Sequence, residues 1–153
     1  MNIYFDAFHK LKESIFGNDF IILIAGIAAL FFMIITLIFA SAIEKRIKEW
    51  KKNKNVTFSR FLLHGTSKAY TMFVTMISIF PLLGMLGTVI GLLGLDLAGG
   101  DMENIKNNFF IALTSTAWGI IFSVVYKVCN AFMSDYVEEQ IETAKKLAEE
   151  IEK

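Results

Sequence analysis

One cysteine, one proline and two histidines among 153 residues leave several kinds of chemistry without their usual parts. Cys129 has no partner for an internal disulfide. With His9 and His64 it makes no recognisable ligand set, so neither a metal nor another cofactor is expected. A chain with a single Pro and ten Gly is unlike a disordered or low-complexity sequence. Charge is scarce as well: Asp, Glu, Lys and Arg make up 20% of the residues, and fifteen bases balance fifteen acids. That balance excludes a generally basic nucleic-acid binder. Apolar residues stand in place of what is missing, at 55% of the chain. A soluble domain carries about 45–50% apolar and about 25% charged residues, so the excess points to a bilayer.

The charged residues are placed so as to leave three long gaps. No Asp, Glu, Lys or Arg occurs in residues 20–43, 69–95 or 107–126. At about 1.5 Å per helical residue, each run covers the roughly 30 Å of hydrocarbon that a spanning helix must cross. Too little polar sequence remains to cover three such helices in water. Ala40-Ser41-Ala42 imitates a signal-peptidase site, but the run before it is longer than the apolar region of a signal peptide. Its basic residues also follow the run instead of leading it, so cleavage is not expected. The fold expected is an all-α membrane protein with transmembrane helices at 20–43, 69–95 and 107–130. Lys45, Arg46, Lys48, Lys51, Lys52, Lys54, Arg60 and Lys68 all lie in the basic loop 44–68, whereas the loop 96–106 holds Lys106 alone. By the positive-inside rule the first loop is cytoplasmic and the second external, which puts the N-terminus outside and the C-terminus inside. The localisation expected is the cytoplasmic (inner) membrane.

The flanking segments also read as helical. In residues 1–18, Tyr4, Phe8, Leu11 and Ile15 form one stripe, and Gly17-Asn18 breaks the helix before the first span. An amphipathic helix lying on the outer surface fits; a solvated helix packed on a partner is the alternative. Asn53-Lys54-Asn55 is a predicted turn, and a short helix over 57–64 leads through Gly65 into the second span. His64 reads as an ordinary interfacial residue. In the cytoplasmic helix 131–153, Val137, Ile141, Ala144, Ala148 and Ile151 repeat at a 4-3-4-3 spacing, with Glu142/Lys146 and Glu149/Lys153 as i,i+4 pairs. That stripe predicts contact between copies. Two heptads are too few to specify a coiled coil.

The second span contains Pro81-Leu82-Leu83-Gly84-Met85-Leu86-Gly87-Thr88-Val89-Ile90-Gly91-Leu92-Leu93-Gly94. Gly84, Gly87, Gly91 and Gly94 form one seam, the arrangement that lets helix backbones approach closely in lipid. Thr88 borders it. Pro81 is expected to kink the helix and free a carbonyl near residue 77. The third span carries a matching stripe of Ala112, Ser115, Thr116, Gly119 and Ser123. Two such helices can pack against each other or line a narrow polar path, and the spacing leaves both open, with hydroxyls returned to their own helix carbonyls in the first case. No Asp, Glu, Lys, Arg or His sits in the middle of a run, and Lys127 lies where it can snorkel. Proton movement at depth normally uses a titratable group. A second polypeptide is therefore expected to supply the carboxylate if protons are conducted.

At these helices the chain resembles the MotA/TolQ/ExbB proton channel family. The likeness is carried by the string from Pro81 to Gly91, by Ala112-Leu113-Thr114-Ser115-Thr116-Ala117-Trp118-Gly119, and by Tyr126 and Asn130 at the inner end of the third span. It covers residues 78–134, and the three-span, N-out order resembles the ExbB/TolQ branch. The resemblance implies a homopentamer around transmembrane helices of a single-span partner like ExbD, TolR or MotB, whose membrane Asp carries the proton. It matches Thr88 and Thr116 to the threonines facing that Asp. Two departures stand out. Ile111 occupies a position where ExbB/TolQ members often carry Glu, and the 44–68 loop is far shorter than the usual cytoplasmic domain.

An ion-path set of Thr88, Thr116 and Ser115 is thus expected, beside a helix-packing seam of Pro81, Gly84, Gly87, Gly91, Gly94, Ala112 and Gly119. The leading reading is a channel and stator subunit of an ion-motive-force-driven motor, with proton and sodium both open. A non-conducting scaffold is the alternative. No enzyme is expected, because no catalytic constellation lies at membrane depth.

Overall fold

A computed structural model of the chain describes residues 9, 11–17, 19–53, 60–94 and 101–151. Three long helices follow one another: α1 (Phe20–Asn53), α2 (Arg60–Leu93) and α3 (Met102–Ile151). All three are long and apolar enough to cross a membrane. Hydrocarbon offers no partners for backbone N–H and C=O groups, so a spanning segment pairs them within its own helix. Hydroxyls in the apolar runs do likewise. Thr36 and Thr75 each donate to the carbonyl four residues earlier at 2.8 Å, which removes the cost of placing them among Ile, Leu and Phe.

The helices outrun the bilayer. A helix of 34 residues, as in α1 and α2, rises about 51 Å against a hydrocarbon core of roughly 30 Å. The basic segment expected as a loop at 44–68 is accordingly helical where it is described: residues 44–53 continue α1 and residues 60–68 open α2. The reason is local. Glu, Lys and Arg are good helix formers, and Lys48 Nζ meets Glu44 Oε1 at 2.6 Å in an i,i+4 pair. Residues 54–59, with the rest of the predicted turn and the first three residues of the predicted 57–64 helix, lie outside the described residues, as do residues 96–100 of the external loop.

The chain divides into two compact units, Met1–Ala28 with Met76–Tyr126 and Ala29–Thr75 with Lys127–Lys153. In the first, Phe80 is fully buried and stacks on Phe122 and Tyr126, with ring centroids 5.5 Å apart in both pairs. This stack reaches α1 at Gly26: the Tyr126 hydroxyl donates to the Gly26 carbonyl at 2.8 Å, and a Cβ on Gly26 would lie 3.0 Å from the Phe122 ring. Residues 11–16 are helical and packed on α3. Trp118 donates its indole N–H to the Leu11 carbonyl at 2.9 Å, and Ile15 is buried. The segment expected as an amphipathic helix is thus helical over these residues and packs on α3; its Tyr4 and Phe8 lie outside the described residues.

In the second unit, Ile43, Ile47 and Ala144 form a small core against which Leu62, Leu63 and Leu147 pack. Val137 and Ile141 are buried too. The C-terminal stripe expected to join copies is therefore largely covered inside one chain, because α1 runs on far enough to meet it. Tyr136 donates to Glu44 Oε2 at 2.7 Å, and Tyr70 to Glu138 Oε1 at 3.3 Å, so both other helices are tied to α3 here. The predicted Glu142–Lys146 pair forms at 2.7 Å.

Candidate functional site: a small-residue seam

Within the first unit, α2 and α3 meet along the two predicted stripes. The absence of side chains is what permits the contact. A Cβ on Gly119 would lie 2.6 Å from the Phe80 carbonyl oxygen and 2.9 Å from Gly84 Cα, closer than real Cβ contacts. A Cβ on Gly87 would collide with the Ser115 side chain. Gly91 sits against the backbone of Asn108 and Ala112, at 2.9 and 3.0 Å on the same measure. Three levels of seam thus interlock as Gly84 with Gly119, Gly87 with Ser115, and Gly91 with Ala112. Gly94 closes the helix end, where Asn108 Nδ2 donates to its carbonyl at 2.6 Å.

Pro81 is accommodated inside α2, which runs unbroken from Arg60 to Leu93. Proline has no N–H to give, so the carbonyl four residues earlier loses its helical donor. That carbonyl belongs to Ile77. Ser123 of α3 donates to it at 3.3 Å and is itself buried. The serine of the predicted stripe replaces the hydrogen bond that the proline removes.

The remaining hydroxyls of the seam differ in their partners. Thr88 is half-buried and donates to the Met85 carbonyl at 2.5 Å, within its own helix. Thr116 is half-buried, with Oγ1 at 3.4 Å from both the Gly84 carbonyl across the seam and the Ala112 carbonyl of its own helix. Ser115 is 2% exposed and donates to the carboxylate of Asp19, accepted at Oδ1. Tyr126 belongs to this unit through Gly26. Asn130 belongs to the other unit, and its Oδ1 is buried without a hydrogen-bond partner.

Asp19 is the residue that the sequence reading passed over. It stands one position before the first charge-free run, where an acid looks like a boundary marker. It is in fact 2% exposed. A tight turn sets it there: the Gly17 and Asp19 amides both donate to the Ser14 carbonyl, and the Asp19 carbonyl accepts from Ile22 and Leu23 to start α1. Ser115 lies eight residues, or about 12 Å, along α3 from the start of its charge-free run at Asn107. The expectation that no acid of this chain reaches the seam is corrected accordingly. An Asn-Asp pair just ahead of an apolar helix is the available signal, since such residues cap helix N-termini.

A cavity of about 220 Å³ opens beside this pair, lined by Asp19, Ser115, Asn108, Ile111, Gly87 and Gly91 among others. Its polar lining is one carboxylate, one hydroxyl and one amide, with apolar side chains for the rest. No group of three or more His, Cys, Asp or Glu side chains gathers among the described residues. The seam therefore offers hydrogen-bonding oxygens and one acid, not a multidentate metal cage.

No curated protein and no solved structure matches the chain. A family does, over residues 61–146, which take in nearly all of α2 and most of α3 with the whole seam between them. The match covers more than half of the sequence and falls on the helices that carry the Pro–Gly–Thr string and its Ser/Thr counterpart. The chain belongs to the MotA/TolQ/ExbB proton channel family.

Proposed function

We propose that the protein is the channel subunit of a membrane motor driven by ion-motive force, of the three-span ExbB/TolQ kind. Its α2 and α3, in a homopentamer, surround the transmembrane helices of a single-span partner like ExbD, TolR or MotB. The partner's Asp carries the proton, and Thr88 and Thr116 face it. The complex sits in the cytoplasmic membrane with the N-terminus outside, as the basic residues between the first two spans direct. The observation that carries the reading is the family match over the two helices that hold the seam. Two features support it further. Thr88 and Thr116 are only half-buried in the single chain, leaving surface for a second polypeptide. Large apolar side chains such as Leu82, Met85, Leu86, Val89 and Ile90 on α2 are exposed.

The test is a pair of isosteric substitutions. Thr88→Val and Thr116→Val each remove a hydroxyl while keeping the branched shape. Both are expected to abolish coupling in cells carrying the partner, while native mass measurement in detergent still gives a five-fold assembly. Normal coupling in both variants would remove these residues from the ion path. One observation favours the scaffold reading as second choice: Gly84, Gly87, Gly91 and Gly119 are all occupied by packing within a single chain. A scaffold leaves ion conductance through the reconstituted complex at the background of empty liposomes.

A further inference from the structure

We infer that Asp19 is a proton-exchanging carboxyl group contributed by this chain itself, with Ser115 as its hydrogen-bonding partner and the adjoining cavity as its route to water. The inference rests on the channel reading for its purpose, but its geometry stands alone. Asp19 is buried, one oxygen accepts from Ser115, and the other, Oδ2, is buried with no hydrogen-bond partner. A carboxylate in that position has lost its hydration and regained half of its hydrogen bonds. Burying a charge in this way is costly unless it is paired.

Among the described residues no cation pairs with it. Residues 76–93 of α2 contain no ionisable side chain, and residues 20–28 of α1 contain none. On α3 the nearest ionisable side chain to Ser115 in the sequence is Lys106, and in the N-terminal segment the nearest to Asp19 is Glu13. Both line a separate cavity whose other walls include Asn107, Phe110 and Thr114. His9 lies beside Glu13 at 3.5 Å, and Lys12, Asp101 and Glu103 are exposed. Asp19 forms no ion pair among the described residues.

A proton meets the requirement with one bond. It adds to Oδ2, converting the carboxylate to a neutral carboxylic acid whose new O–H can donate where nothing now accepts, while Oδ1 keeps its bond from Ser115. Release reverses the step, returning the proton to water. The cavity of about 220 Å³ has room for such water, since a site of about 10–15 Å³ on the same measure holds one molecule. Ligation of a metal ion would need several more oxygens than Asp19 and Ser115 provide.

Infrared difference spectroscopy on the full chain in liposomes tests this without any partner. A pH jump is expected to produce a carboxylic-acid carbonyl band that is lost in Asp19→Asn. In Ser115→Ala the band is expected to persist at higher frequency, because its carbonyl no longer accepts a hydrogen bond; a merely structural serine would leave the frequency alone. Asp19→Glu keeps the band at a displaced position, and with Ser115→Ala it carries the test should Asp19→Asn fail to fold. A difference spectrum identical in wild type and in these variants overturns the inference. So does a titration that moves when sodium replaces potassium at constant ionic strength, which would identify a metal cation as the ligand. If the band is present but the reconstituted complex conducts no ions above the background of empty liposomes, the channel reading falls and the carboxyl assignment stands.

Discussion

The pairing of Pro81 with Ser123 gives the sharpest test of how α2 and α3 are joined. Pro81 withholds the amide that would have met the Ile77 carbonyl, and Ser123 supplies a hydroxyl in its place at 3.3 Å. Ser123→Ala would leave a buried carbonyl without a donor. Such an orphan costs about 1–3 kcal/mol in water-soluble proteins, whereas interhelical hydrogen bonds in membranes average about 0.6 kcal/mol with a maximum near 1.7. The contact is long, so a loss of about 1 kcal/mol is expected, a five-fold change in the folding equilibrium. Pro81→Ala restores the amide, and helical geometry then satisfies Ile77 without help from α3. In that background Ser123→Ala is expected to cost only a few tenths of a kcal/mol, giving a coupling energy of about 0.7 kcal/mol. Reversible unfolding in mixed micelles, followed by circular dichroism on all four proteins, measures the cycle. Equal costs of Ser123→Ala in both backgrounds would refute the account, because they would show that the serine acts independently of the proline.

Other substitutions probe neighbouring contacts. Gly119→Ala places its Cβ against backbone atoms of Phe80 and Gly84, which cannot rotate aside; a loss of about 1–3 kcal/mol is expected in the same unfolding assay. Gly87→Ala meets only the Ser115 side chain and is expected to cost less in stability while shifting the Asp19 carbonyl band. Trp118→Phe removes the donor to the Leu11 carbonyl, so amide exchange in residues 11–17 is expected to rise several-fold with little change in α2. Tyr136→Phe removes the hydroxyl that meets Glu44 and is expected to weaken the second unit by about 1 kcal/mol or less, seen as faster proteolysis between Lys45 and Lys54.

Much of this architecture is legible in the order of residues because a bilayer imposes a simple rule: charge is absent over the length of a crossing. The gaps at 20–43 and 107–126, and residues 69–93 of the gap at 69–95, fall in three helices for that reason. The same rule hides helix ends, since nothing in it says where a helix stops once charges return. Residues 44–53 remain helical because Glu44 and Lys48 favour that state, and the length gained lets Ile43 and Ile47 cover the Ala144 stripe that otherwise reads as a surface for other copies. The carbonyl freed by Pro81 could be named in advance from helix geometry, but its donor could not. Which hydroxyl of the α3 stripe meets it depends on the depth at which the helices cross.

Spacing alone does not separate a packing seam from an ion path, because glycine, serine and threonine serve both. The partners of individual atoms show which positions packing takes up. Gly84, Gly87, Gly91 and Gly119 face backbone or side-chain atoms of the opposing helix, so their role is close approach. Ser123 is committed to the Ile77 carbonyl and Thr116 lies between two carbonyls, groups that accept hydrogen bonds but do not titrate. Of the seam's hydroxyls, Ser115 is the one whose partner is an acid. A carboxyl inside an apolar wall is costly to maintain and is not needed to join helices that glycines already join, so stability alone does not account for it. The position of Asp19 is therefore the observation on which the proposed proton-exchanging role rests.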